Sequence, residues 1–229
     1  MPMSTDVTLR RPTELRRPLQ PLRLWWMAAL ALSGFTAHAA LIQAGCWQRL
    51  DARIMWALHD LGSAGLDRFF LLVTAIGHQW GVIPVDVLLV LGLAAARRWR
   101  CSAFVLLATA GSGLLNRAVK ALFSRERPQL WPHPVDETSW SFPSGHAMGS
   151  WTLMLVLIVL AWPGRWRYPV LLLAAGFALL VGISRPYLGV HWPSDIVGGW
   201  LLASAWVFAV SAYMSRQQWG ELCRRTDIS

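Results

Sequence analysis

The sequence predicts an all-α, polytopic membrane protein: six transmembrane helices, with an interfacial helix after the first span. Three observations carry that expectation. The 229 residues are 55% hydrophobic and only 14% charged, whereas soluble domains carry about a quarter charged residues. The apolar residues gather into runs, several of them long enough to cross a bilayer. The fifteen Trp lie mostly near the ends of those runs, as an interfacial belt does.

Residues 1–23 are rich in Pro and Arg and show no apolar period, so they read as a disordered basic tail. The first apolar run is Leu24 to Ala44, long enough to span. It also has the makings of a signal peptide: a basic start, an apolar middle and "AHA" at 37–39. Both readings put the N-terminus in the cytoplasm. In 45–66, Leu50, Ile54, Leu58 and Leu61 recur at helical spacing, which predicts an amphipathic interfacial helix. Residues 67–77 are apolar but too short to span. The remaining spans are expected at about Trp80–Ala96, Cys101–Leu122, Ala147–Trp162, Tyr168–Ser184 and Pro193–Tyr213. They delimit a span domain of 24–215 and a short tail of 216–229.

Charge sets the orientation. Cytoplasmic loops should be rich in Arg and Lys. With both termini inside, thirteen basic residues fall on the inner side and eight on the outer side. This loop asymmetry, and not nucleic acid, accounts for the net charge of +9. The outer basic residues between 117 and 185 stand out, because charge beside a span end is costly unless it is used. Cys46, Cys101 and Cys223 have no metal or disulfide spacing and read as packing residues.

Three outer segments hold the chemistry. "VKALFSRERP" contains Lys120, the only lysine, and Arg127 seven residues on. If helical, that is about two turns, so both cations share a face. On its own, this segment also reads as a snorkelling basic cluster. "PSGH", 143–146, opens the fourth span. Pro143 suits a first helical turn, and the free amides behind it form an anion site. Gly145 allows close approach to the backbone. Ser144 adds a hydroxyl, and His146 titrates near neutrality. In "SRPYLGVHWPSD", Arg185 is a third cation, and Asp195 lies four residues after His191. The carboxylate can hold one imidazole nitrogen and leave the other as a lone-pair donor. The plainer readings are a helix cap for Asp195 and a satisfied loop residue for His191. Together, the cations, the helix N-terminus and the two histidines suit a tetrahedral oxyanion, and Arg forks suit phosphate best.

These segments resemble the three signature motifs of the type-2 phosphatidic acid phosphatase superfamily, which includes bacterial lipid phosphatases and vanadium haloperoxidases. All eleven fixed positions are present at the family spacing, in 120–128, 143–146 and 184–195. The resemblance implies that His191 is a nucleophile forming a phosphohistidine and that Asp195 orients it. It makes His146 the general acid. Lys120, Arg127, Arg185, Ser144 and Gly145 become the phosphate cradle. No metal or other cofactor is implied, since cations and amides can neutralise the transferring group. The implied function is hydrolysis of a membrane lipid phosphate or diphosphate on the periplasmic side of a bacterial-type inner membrane. The substrate would be of the undecaprenyl diphosphate, phosphatidate or phosphatidylglycerol phosphate type. Alternatives are a lipid phosphotransferase using the same site or an anion-binding transporter. Six spans disfavour the soluble haloperoxidases. His38, His59, His78 and His133 have no partner at useful spacing, Asp86 has no assigned role, and residues 1–66 are given no chemistry. The lipid and the oligomeric state are not encoded legibly.

Overall fold

The computed structural model describes residues 21–134, 137–162 and 164–215. The expected C-terminal tail and all but the last three residues of the expected N-terminal tail lie outside them. The described residues form eight helices and no strand: α1 (Pro21–Gln43), α2 (Gln48–Asp60), α3 (Ala64–Ile76), α4 (Val82–Ala95), α5 (Trp99–Phe123), α6 (Gly145–Ala161), α7 (Arg167–Tyr187) and α8 (Pro193–Ser215).

Four of these, α1, α5, α7 and α8, are long and apolar enough to cross a membrane. The apolar helices α4 and α6, expected as spans, are shorter, with 14 and 17 residues. This is a multi-pass membrane protein, and its surface shows it. Leu30, Leu88, Leu114, Leu122, Leu172 and Leu173 are each more than 60% exposed. The interior instead holds Asp51, Lys120, Arg185, His191 and Asp195, all buried. Water would not tolerate that many bare leucines on one surface, but hydrocarbon does.

Local sequence explains the helix ends. Ser63 caps α3 by accepting from the Leu66 amide. Ser124 ends α5 in the left-handed region, at φ 44°. Ser144 caps α6, so that helix starts two residues after Pro143 and not on it. Pro193 takes the first position of α8, where its missing N–H costs nothing.

Helices α6, α7 and α8 pack together, with α1 laid along α8 and α5 against α4, α6 and α8. One apolar core lies between α5, α6 and α8, around Phe104, Val105, Val156 and Val207. A second, around Phe35, Phe142, Met148 and Leu202, ties α1 to α6 and α8. Here α8 crosses the start of α6 closely. A Cβ at Gly198 would sit 2.3 Å from the Phe142 ring, and one at Gly199 would sit 3.0 Å from the Ser144 carbonyl. The crossing puts the first turns of α6 and α8 side by side, and the Ser144 amide donates to the Asp195 carbonyl at 3.1 Å. Cys101 departs from the packing role expected of it: it is disulfide-bonded.

Candidate active site

The three motif segments meet at one end of the bundle. They border a cavity of about 380 Å³ whose wall includes Lys120, Arg127, Gly145, His146 and His191.

His191 is fully enclosed. Its Nε2 faces Arg127 Nη1 at 3.1 Å, and its Nδ1 lies 3.3 Å from both Asp195 Oδ2 and Ser141 Oγ. A guanidinium can only donate, so Nε2 carries the lone pair and Nδ1 the proton. Burial first, then the charges of Arg127, Arg185 and Lys120, hold this imidazole well below its ordinary pKa. It is therefore neutral at pH 7, with its lone pair turned into the cavity wall.

Asp195 serves more than His191. Its Oδ2 accepts from Ser141 Oγ and from the Trp192 amide, and its Oδ1 accepts from Arg125 Nη1 at 2.6 Å. The other nitrogen of that guanidinium donates to Asp51 Oδ2 at 3.0 Å. Asp51 also takes the Ser194 amide and hydroxyl, while the His38 ring bonds the Ser194 carbonyl. Helices α1 and α2 thus brace the first turn of α8. No chemistry was expected of residues 1–66, and His38, without a partner at useful spacing in the sequence, takes a structural role. So does His133, which bonds the Pro128 carbonyl at 2.7 Å.

Lys120 and Arg127 do converge, but not as one helical face. The helix stops at Phe123, and the chain folds back so that both cations reach Ser139 Oγ, at 3.1 and 3.3 Å. Arg127 is further fixed by the Ser139 and Val190 carbonyls. Arg185 is buried, with Nη1 on Thr74 Oγ1. Glu137, a residue the motifs do not contain, joins the cations. One of its oxygens pairs with Arg127 Nη2 at 3.2 Å and the other with Arg185 Nη2.

His146, in the first turn of α6, makes no side-chain hydrogen bond among the described residues. Its ring lies against His78, centroids 4.7 Å apart. The hydroxyl of Ser144 accepts from the Ala147 amide and does not reach the cavity wall. Gly145 does, and a Cβ there would crowd Asn116 Oδ1 at 3.3 Å. Asn116 in turn donates to the Pro143 carbonyl at 3.2 Å, tying the α6 entrance to α5. Among the described residues, no three His, Cys, Asp or Glu side chains gather as a metal site.

Comparison with known proteins decides the family. The PAP2 superfamily profile matches residues 102–219. This chain belongs to the PAP2 superfamily. It is 31% identical over 184 residues to phosphatidylglycerophosphatase B of Bacillus subtilis, covering 78% of this chain and 90% of that one. It is 30% identical over 157 residues to an undecaprenyl-diphosphatase of Sulfolobus acidocaldarius, covering 65% and 70%. The crystal structure of the first transmembrane PAP2 type phosphatidylglycerolphosphate phosphatase from Bacillus subtilis superposes with a TM-score of 0.75 at 29% identity, over 83% of this chain and 97% of that one. The present PAP2 protein is a phosphoric ester hydrolase of the membrane lipid phosphatase kind. Asp51, Arg125, Glu137 and His78 are the site residues that the motifs missed. Arg125 lay inside a quoted segment, and Glu137 was a visible acid among outer cations. Asp51 and His78 gave no signal of their own.

Proposed function

We propose that this protein hydrolyses a lipid phosphate or diphosphate through a phosphohistidine at His191. The observation that carries this reading is the His191 ring held between Asp195 and Arg127, its Nδ1 on the carboxylate and its Nε2 lone pair beside a guanidinium that lines the same cavity. In the reaction, Nε2 bonds to the terminal phosphorus as its bond to the leaving oxygen breaks, that oxygen belonging to the lipid alcohol in a monophosphate and to the lipid's inner phosphate in a diphosphate. His146 gives that oxygen its proton. Water then attacks the phosphohistidine, His146 takes the proton back, and inorganic phosphate leaves. Lys120, Arg127, Arg185 and the amides at the start of α6 neutralise the charge on the transferring group.

The relatives' names, a phosphatidylglycerophosphatase and an undecaprenyl-diphosphatase, favour substrates of those types, with phosphatidate as a third. The span domain is taken as 24–215. Six spans require α4 and α6 to cross as well, although at 1.5 Å per residue they reach only about 21 and 26 Å. A polar cavity at one end of both helices shortens the hydrocarbon left to cross. The charge asymmetry of the loops favours cytoplasmic termini and a periplasmic site.

The test is phosphate release from a panel of lipid phosphates in detergent with EDTA present, alongside trapping of an acid-labile phosphoenzyme. Purified wild-type protein should do both. Absence of any phosphate release across the panel would overturn the reading, and turnover without a phosphoenzyme would remove the covalent step.

A further inference from the structure

The cavity does not end at the cradle. Beyond His146 it continues between α4, α5 and α6, and its wall there includes His78, Asp86, Ser112 and Thr152. Thr152 lies six residues along α6 from His146, which is about 9 Å further into the bundle. If His191 attacks in line, the leaving group departs on the opposite side of phosphorus, where His146 must stand to protonate it. The deeper part of the cavity is therefore the leaving group's compartment.

That compartment is polar where a lipid tail would need none. Asp86 Oδ1 is enclosed and has no hydrogen-bond partner among the described residues, and His78 Nδ1 is in the same condition. Ser112 Oγ and Thr152 Oγ1 bond each other at 2.8 Å. Two hydroxyls joined by one bond retain one proton to donate and several lone pairs to accept. Val82, Ile83 and Met148 add carbon to the wall, and Thr109, Asn116 and Arg117 add further polar groups on α5. A plain hydrocarbon seated here would leave the Asp86 oxygen buried and unsatisfied, which is costly. A hydroxyl would satisfy it and could also bond the Ser112–Thr152 pair.

We propose that this deeper compartment is a subsite for a leaving alcohol bearing a free hydroxyl close to the scissile ester, as a glycerol-type head group does, with Asp86 as its acceptor. This rests on the phosphatase reading above and adds the substrate class to it.

Two phosphate monoesters with one tail test it: 1-O-hexadecylglycerol 3-phosphate, with its free 2-hydroxyl, and 3-hexadecyloxypropyl phosphate, which lacks only that hydroxyl. For wild-type protein in mixed micelles, kcat/KM should favour the first by at least about tenfold. In Asp86→Leu the ratio should fall to within about threefold, with hydrolysis of the deoxy ester still measurable; Asp86→Asn should give an intermediate ratio. A wild-type ratio near one, with both esters hydrolysed, would overturn the subsite. So would a wild-type ratio that survives Asp86→Leu. If Asp86→Leu is inactive on both esters, Asp86→Asn decides, and a ratio equal to wild type rejects the proposal. If wild-type protein hydrolyses neither ester nor any lipid in the panel, the phosphatase reading itself has failed.

Discussion

His191 and His146 border the same cavity in opposite surroundings. Around His191 every polar neighbour is engaged. Asp195, Ser141, Arg127, Arg125, Asp51 and Ser194 form one connected network in which each member holds the next. Around His146 there is a ring contact with His78 and open volume. The difference follows from the two tasks proposed for them. A lone pair aimed at phosphorus loses rate steeply with small misplacement, so its mounting is overdetermined. A proton donor that must meet the oxygen of an incoming lipid keeps its hydrogen-bonding capacity free until the lipid supplies the partner.

Substitutions can break that contrast. The largest effect is expected at His191→Ala, which should form no phosphoenzyme and turn over nothing measurable on any ester. His146→Ala should lose about 10²–10⁴-fold in kcat/KM on alkyl phosphates, whose leaving oxygen needs a proton. It should lose much less on an aryl phosphate such as nitrophenyl phosphate. Equal losses on both would place His146 in the phosphate cradle and erase the contrast. Asp51→Asn removes the anchor from the network without touching the cavity. It should cost about 3 kcal/mol of stability, as a broken buried ion pair does, read as a lower midpoint in thermal unfolding. An unchanged midpoint would show that α2 does not brace α8.

Glu137 sharpens the comparison from the substrate's side. Its two oxygens sit on two of the three cations proposed for phosphate, which makes it a competitor for an anion bound there. Glu137→Gln should tighten inhibition by vanadate about fivefold, the worth of one partly screened ion pair. Weaker inhibition would mean that Glu137 holds the arginines in place and does not compete for them.

The smallest effect concerns pH. Burial, then Arg185, lowers the pKa of His78 below 6.5, and burial lowers that of His191 further. Both rings stay neutral in the folded protein while the unfolded chain would take up protons. Stability from this source is complete above about pH 6.5 and declines as pH falls toward the depressed values. Thermal midpoints between pH 7.5 and 5 should therefore fall with acid. A rise would mean that at least one ring charges readily when folded.

The motif residues were legible because their chemistry is written in residue type and spacing. His191 and Asp195 lie four apart and meet directly. Lys120 and Arg127 were legible as a pair but not in geometry. A left-handed Ser124 ends the helix between them, and the return of the chain to Ser139 has no periodic signature. Asp51 was out of reach for a different reason. It meets Ser194 across 143 positions, and in its own segment it is one acid on the polar side of an amphipathic helix. Helix lengths were read well at α5, α7 and α8. The expected α4 ran three residues too long, because Trp80 and Gly81 belong to the turn before it and Ala96 is its C-cap.

The tie from His38 through Ser194 to Asp51 also bears on engineering. A transplant of residues 120–195 into another scaffold would carry all eleven signature residues and still leave the carbonyl, amide and hydroxyl of Ser194 without their counterparts. The portable unit is not the stretch that bears the motifs. It begins at the first helix, so truncations and chimeric joints belong before Pro21, not between the quiet leading helices and the chemistry they steady.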